Sequence, residues 1–167
     1  ADLVEEVLRV YGFNNIALNS SMKISLGQNI GQERWNIKNE LAKLLVAKGL
    51  SEIQNNSLVN SIYWDKIGKN IDNENIVKVL NYSSSDLDVL RKTLLFSNLI
   101  TVAHNLNRNN RNIKVFEYGK GYKSDGVYSE KEYLSICLTG TKTEFWGSNN
   151  ENVGPYYLRK IVESIFS

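Results

Sequence analysis

The sequence predicts an α+β domain in which an antiparallel β-sheet is flanked by helices. Three observations carry this prediction. Apolar residues recur at helical spacing in several separate segments, two of them long. Between these segments lie short β-branched and aromatic runs, two of which are joined by the turn Lys123-Ser124-Asp125-Gly126. Helices and strands do not alternate regularly, which argues against a doubly wound parallel sheet.

The first segment, residues 2–16, reads DLVEEVLRVYGFNNI. Leu3, Val7, Leu8 and Tyr11 form an apolar stripe, Asp2 and Glu5 make a D-x-x-E start signal, and Gly12 is the stop. Ala17 to Gly31 is polar, with a short strand expected at Met22–Leu26. Gln32–Lys48 is a strong helix, because Ile37, Leu41, Leu44 and Leu45 fall on one face. Gly49 followed by Leu50 reads as a Schellman ending. Ser51–Val59 reads as a strand and Ser61–Lys69 as a short helical turn.

Ile76–Leu80 is short and β-branched, and so is expected as a strand. Ser85-Asp86 is the expected cap of a second long helix, Asp86–Asn107, lined by Leu87, Leu90, Leu94, Leu95, Leu99, Val102 and Leu106. Ile113–Tyr122 and Lys131–Thr139 form a hairpin by pattern. Pro155 opens a last helix, to about Phe166, with Leu158, Ile161, Val162 and Ile165 apolar.

Length and charge bound the function. The 167 residues suffice for one cored domain. Twenty basic against eighteen acidic residues argue against a dedicated nucleic-acid coat or a polybasic membrane binder. The single Cys137 excludes an internal disulfide framework and a cysteine zinc site, and reads as a small buried hydrophobe. No run approaches the roughly 18 apolar residues of a membrane span, and no signal-peptide pattern occurs. A cytoplasmic location is the simplest expectation.

Three segments in order, DLVEEVLRVYGFNNI, LRKTLLFSNLITVAHNLNR and KVFEYGKGY, precede Glu132, Gly140 and Trp146. This ordered set resembles the β subunit of bacterial phenylalanyl-tRNA synthetase. Gly49 to Leu58, behind its helix, resembles the first signature motif of class II synthetases, in which a helix and strand build a dimer interface. Asn56 stands where that motif normally has proline, and Asn81-Tyr82 where the family commonly has Asn-Pro. Both departures suit a diverged, non-catalytic copy of the fold.

The resemblance implies a class II synthetase-like sheet and a division into two parts. Residues 1–16 would be the last helix of a preceding domain, and 17–167 a catalytic-like domain truncated at its C-terminus. It also implies a role within phenylalanine–tRNA ligase. The partners would be the catalytic α subunit, in an α2β2 heterotetramer, and tRNA-Phe; ATP would be used by the α subunit and not bound here. Asp2, Glu5 and Glu6 match acidic residues that bind Mg²⁺ shared with the α subunit. By geometry Asp2 and Glu5 share a helix face, whereas Glu6 lies about 100° from Glu5. Read without the family, the three carboxylates simply favour a helix N-terminus.

The chain lacks the residues of aminoacyl-adenylate chemistry. Val115 stands where an Arg-x-Glu pattern ending at Glu117 would need its Arg, and no G-x-G-x-G-x-x-R string follows. P-loop, G-x-S-x-G and H-E-x-x-H patterns are absent, and His104 is the only histidine. No catalytic residue is therefore expected. Arg108, Arg111 and Lys114, interleaved with Asn, are the best RNA-contact candidates, against the alternative of a solvated loop. Arg91 and Lys92 read as scaffold. Trp35 and Trp64 suit either interface anchoring or packing under a loop. The remaining alternatives are an independent class II-like amino-acid ligase and a freestanding RNA-binding module.

Overall fold

The computed structural model describes residues 2–17, 21, 32–66, 75–143 and 151–166. The strand expected at Met22–Leu26 and the residue Trp146 lie outside these. The chain divides into two units, residues 1–33 and 34–167.

The first unit contains α1 (Asp2–Tyr11) and a 3-10 turn (Phe13–Asn15). Gly12, at φ 92°, ends the helix where the sequence places its stop. The Asn15 side chain donates to the Tyr11 carbonyl at 2.6 Å, satisfying one of the orphan acceptors of the last turn.

The second unit takes in all but the first two residues of α2 (Gln32–Ala47), which opens just before it. Helix α2 ends as predicted. Gly49 takes φ 83°, Gly49 N donates to Val46 O at 2.9 Å and Leu50 N to Leu45 O at 3.1 Å. Those are the two bonds of a Schellman motif, and Leu45 and Leu50 meet in the core as it requires.

The main sheet has the order β1 (Ser51–Glu52), β4 (Lys114–Ser124), β5 (Tyr128–Leu138). Strands β4 and β5 form the expected hairpin, in register from Lys114↔Leu138 to Ser124↔Tyr128. The β1–β4 pairing is parallel, so the sheet is mixed rather than wholly antiparallel. Alternation divides the hairpin's faces. Phe116 and Tyr118, with Leu134, Ile136 and Leu138, pack against Leu45, Leu50 and Ile161 from α2 and α5 (Pro155–Glu163). Glu117 and Gly119 face the other way, toward Arg91, Leu94 and α4 (Leu95–Leu106).

Three expected elements change. Ser51–Val59 is two strands in different sheets, because β2 (Leu58–Val59) pairs with β3 (Val89–Leu90) instead. The break has a local cause: Asn56 Oδ1 accepts from Leu58 N at 3.0 Å, an Asx turn in place of the proline. Ile76–Leu80 contributes only the bridge Lys78↔Val89 and flanking bonds such as Leu90 N to Val77 O at 2.9 Å. The long helix begins at Leu95, not Asp86. Its leucine periodicity is overridden upstream by long-range bonds. The Asp88 carboxylate accepts from Ser61 N at 2.8 Å and Ser61 Oγ at 2.7 Å, and Arg91 N donates to Ser57 O at 2.9 Å.

Trp64, in α3 (Ile62–Lys66), is 1 % exposed and meets Phe96 edge-on at 4.7 Å. It is core, which decides for packing over the interface-anchor alternative. Trp35 is 63 % exposed.

Candidate functional site

A charged residue in the middle of the apolar strand KVFEY must find partners or unfold the strand, since burying an unpaired carboxylate is costly. Glu117 is fully buried. Arg91 Nη1 donates to its Oε1 at 2.7 Å, Asn55 N to the same oxygen at 3.1 Å, and Asn55 Nδ2 to Oε2 at 2.8 Å. The arginine is also held by the Lys120 carbonyl, which accepts from Nε at 3.1 Å. Behind Asn55, its Oδ1 accepts from Thr101 Oγ1 at 2.6 Å, and Asn98 Nδ2 donates to Ser135 Oγ at 2.7 Å. Four elements of the chain are thus tied to one carboxylate.

Two glycines let this happen. A Cβ on Gly119 would lie 2.3 Å from Arg91 Nη2, and one on Gly121 would lie 2.3 Å from the Lys92 carbonyl oxygen. The segment Arg91–Leu94 therefore lies directly on the sheet face over these positions. With its carboxylate saturated and its glycines covered, that face is a scaffold.

A cavity of about 480 Å³ is bordered by Arg91, Asn55 and Gly119 of this network and by residues of the α2-facing side. Its wall includes Arg34, Lys38 and Leu41 of α2, with Tyr118, Lys120 and Tyr122 of β4. Lys38 Nζ lies 2.7 Å from Glu132 Oε1. This bond, with the Lys38 and Arg34 charges, holds the Glu132 carboxyl below its ordinary value. Lys120 Nζ pairs with Glu130 at 2.5 Å, and that bond raises the ammonium's pKa. Burial, aided by Glu52, pushes the Tyr118 phenol up. The Tyr118 hydroxyl is buried and has no hydrogen-bond partner among the described residues.

The residues singled out from sequence fall elsewhere. Asp2, Glu5 and Glu6 are exposed on α1, where Glu6 pairs with Arg9 at 2.7 Å. Among the described residues no group of three ligating side chains forms. Arg108 donates to the His104 carbonyl at 3.1 Å, closing the end of α4. Lys114 Nζ donates to the Lys142 carbonyl, and Arg111 is exposed. His104 is also exposed. Cys137 is half-buried, as a small hydrophobe would be, and burial pushes its thiol up. The Asn55–Glu117–Arg91 network was missed; the legible signal was a carboxylate inside an apolar strand.

An α2/α5-backed hairpin sheet with a short parallel strand at its edge is the architecture of class II aminoacyl-tRNA synthetases. The structure superposes on Staphylococcus aureus histidyl-tRNA synthetase with TM-score 0.56, covering 90 % of this chain and 34 % of that one at 15 % identity. The Desulfitobacterium hafniense pyrrolysyl-tRNA synthetase PylSc gives 0.53, covering 80 % and 42 % at 18 % identity. These likenesses speak for the fold. Residues 19–167 match the phenylalanyl tRNA synthetase beta chain CLM domain, and the chain belongs to that family. It is 37 % identical to the phenylalanine–tRNA ligase beta subunit of Bacteroides fragilis, over 99 % of this chain and 22 % of that protein. For the Bacteroides thetaiotaomicron subunit the identity is 36 %, over 98 % and 21 %. The chain spans about a fifth of the length of these relatives.

Proposed function

We propose that this chain is a non-catalytic, catalytic-like module of the β subunit of phenylalanine–tRNA ligase. It assembles with the α subunit in an α2β2 heterotetramer and helps position tRNA-Phe in the cytoplasm. ATP is used at the α subunit. The observation that carries the reading is apolar surface left uncovered on two helices of the domain. Trp35 and Ile37 of α2 are 63 % and 60 % exposed, and Leu95, Leu99 and Ile100 of α4 are 47 %, 50 % and 43 % exposed. Large apolar side chains left exposed on helix surfaces are what a partner subunit would cover.

The deciding experiment is co-expression of the α subunit with a β chain extended to its natural ends. Co-purification that Trp35→Ala and Leu99→Glu weaken supports the reading. Failure of the extended chain to co-purify overturns it.

Mg²⁺ enters as part of the same proposal. Asp2 and Glu5 share a face of α1, while Glu6 is engaged by Arg9, so this chain offers two carboxylates. That number suits an ion which keeps most of its waters, with further ligands coming from outside the chain. Asp2 and Glu5 would hold the ion, which would supply a hard positive charge to the assembly. In the assembled protein, Asp2→Asn with Glu5→Gln should abolish any dependence of assembly on Mg²⁺. Of the RNA candidates, Arg111 is the one whose side chain no carbonyl engages among the described residues, and it is the first to substitute when tRNA affinity is measured.

A further inference from the structure

The cavity beside α2 shares only Ile37 with the surface assigned above to assembly. Its volume of about 480 Å³ falls among small-ligand sites, which run from about 300 to 1,000 Å³. Tyr118, Lys120 and Tyr122 are alternate residues of β4 and so present two aromatic rings and a cation to one face. Arg34 and Lys38 stand across from them on α2.

Charge and unused hydrogen-bonding capacity define what would fit. The lining holds four cations, Arg34, Lys38, Arg91 and Lys120, and one carboxylate, Glu132. Arg91, Lys38 and Lys120 each have a carboxylate partner. Arg34 makes no direct ion pair among the described residues, its charge reaching Glu132 only through space, and a guanidinium is well shaped for a phosphate. The buried Tyr118 hydroxyl lacks a partner. The Gln54 amide, also in the lining, offers both a donor and an acceptor. An amino acid suits the cavity poorly, because its ammonium would need a carboxylate and Glu132 is already held by Lys38.

We propose that this cavity binds a nucleotide, with its phosphate on Arg34 and its base against Tyr118 and Tyr122. Base–aromatic stacking over a positively charged groove is the general mode for unpaired nucleotides. Free mononucleotide and an unstacked nucleotide of single-stranded RNA share this chemistry. The site borders the surface proposed above for assembly, with Ile37 common to both, but its test uses the chain without a partner, so the two readings fail separately.

The test is a titration of the ¹⁵N-labelled 167-residue chain with AMP, adenosine, inorganic phosphate and a short oligo-adenylate. The expected result is saturable AMP binding, with shifts centred on Tyr118, Tyr122 and Gln54. Arg34→Ala should weaken AMP about tenfold and leave adenosine unchanged. Tyr118→Phe should weaken AMP several-fold without lowering the chain's stability, since it removes an unsatisfied hydroxyl. Oligo-adenylate binding tighter than AMP assigns the site to RNA; equal or weaker binding assigns it to free nucleotide. The proposal is overturned if neither AMP nor oligo-adenylate saturates at millimolar concentration. It is equally overturned if phosphate alone binds as tightly as AMP, or if both substitutions leave AMP affinity unchanged.

Discussion

Arg91 Nη1 and Glu117 Oε1 lie 2.7 Å apart, with side chains 4 % and 0 % exposed. This contact joins the segment before α4 to the middle of the β4 strand, 26 residues away in sequence. It explains why the leucine-rich stretch beginning at Leu87 is not helical throughout: Arg91 must leave the helical path to reach Glu117.

Removing one partner of a buried ion pair strands the other. Glu117→Ala should therefore destabilise the domain by about 3–5 kcal/mol, read as a shift of the urea denaturation midpoint. The double variant Arg91→Met with Glu117→Leu should lose markedly less than the sum of the single variants. Additive losses would mean that the two residues act separately.

The glycines of β4 make a graded prediction. Gly121→Ala meets the Lys92 backbone carbonyl, whereas Gly119→Ala meets side-chain atoms, the Arg91 guanidinium and the Leu94 methyl. Both should destabilise, by about 1–3 kcal/mol, with Gly121→Ala the worse. Gly49→Ala meets no atom within 4 Å but must hold φ 83°, so its cost of about 1–2 kcal/mol is conformational. Thermal melts of the three variants separate steric from backbone cost.

Asp88 sets a pH dependence. Burial alone would raise its carboxyl, but the Ser61 hydroxyl and backbone N–H outweigh burial and hold it below the usual value. A depressed carboxyl contributes stability that is present above its unfolded value and lost as pH falls through the folded one. The stability difference between the parent chain and Asp88→Asn should thus be full at neutral pH and shrink under acid. A difference constant across that range would refute the assignment.

The two tryptophans should behave oppositely. Trp64→Ala removes a ring that is almost wholly buried against Phe96 and should cost about 3–5 kcal/mol. Trp35→Ala should change stability by less than about 0.5 kcal/mol, and its effect should appear only in α-subunit capture. Equilibrium unfolding beside a pull-down makes the comparison.

Much of this was legible in one dimension. Wherever a local rule acted alone, expectation and structure agree: the α1 stop at Gly12, the Gly49-Leu50 ending of α2, the β4–β5 hairpin and Pro155 at the start of α5. The class II likeness and family membership also followed from ordered segments. The misses cluster around Asn55, Asp88 and Arg91. There a side chain's best partner lies 26 or more residues away, and periodicity cannot register it.

The amino-acid sequence by itself determined the α+β class, most helix ends, the hairpin and the family, because capping, turn chemistry and periodicity are local. Only the tertiary structure decided that Ser51–Val59 divides between two sheets and that Asp86–Leu94 is not helix. It alone placed Trp64 in the core, locked Glu117 with Arg91 and left the Tyr118 hydroxyl without a partner. The physical reason is the same in each case. A buried polar or charged group must find its partner wherever the fold brings one, and that demand outweighs local preference.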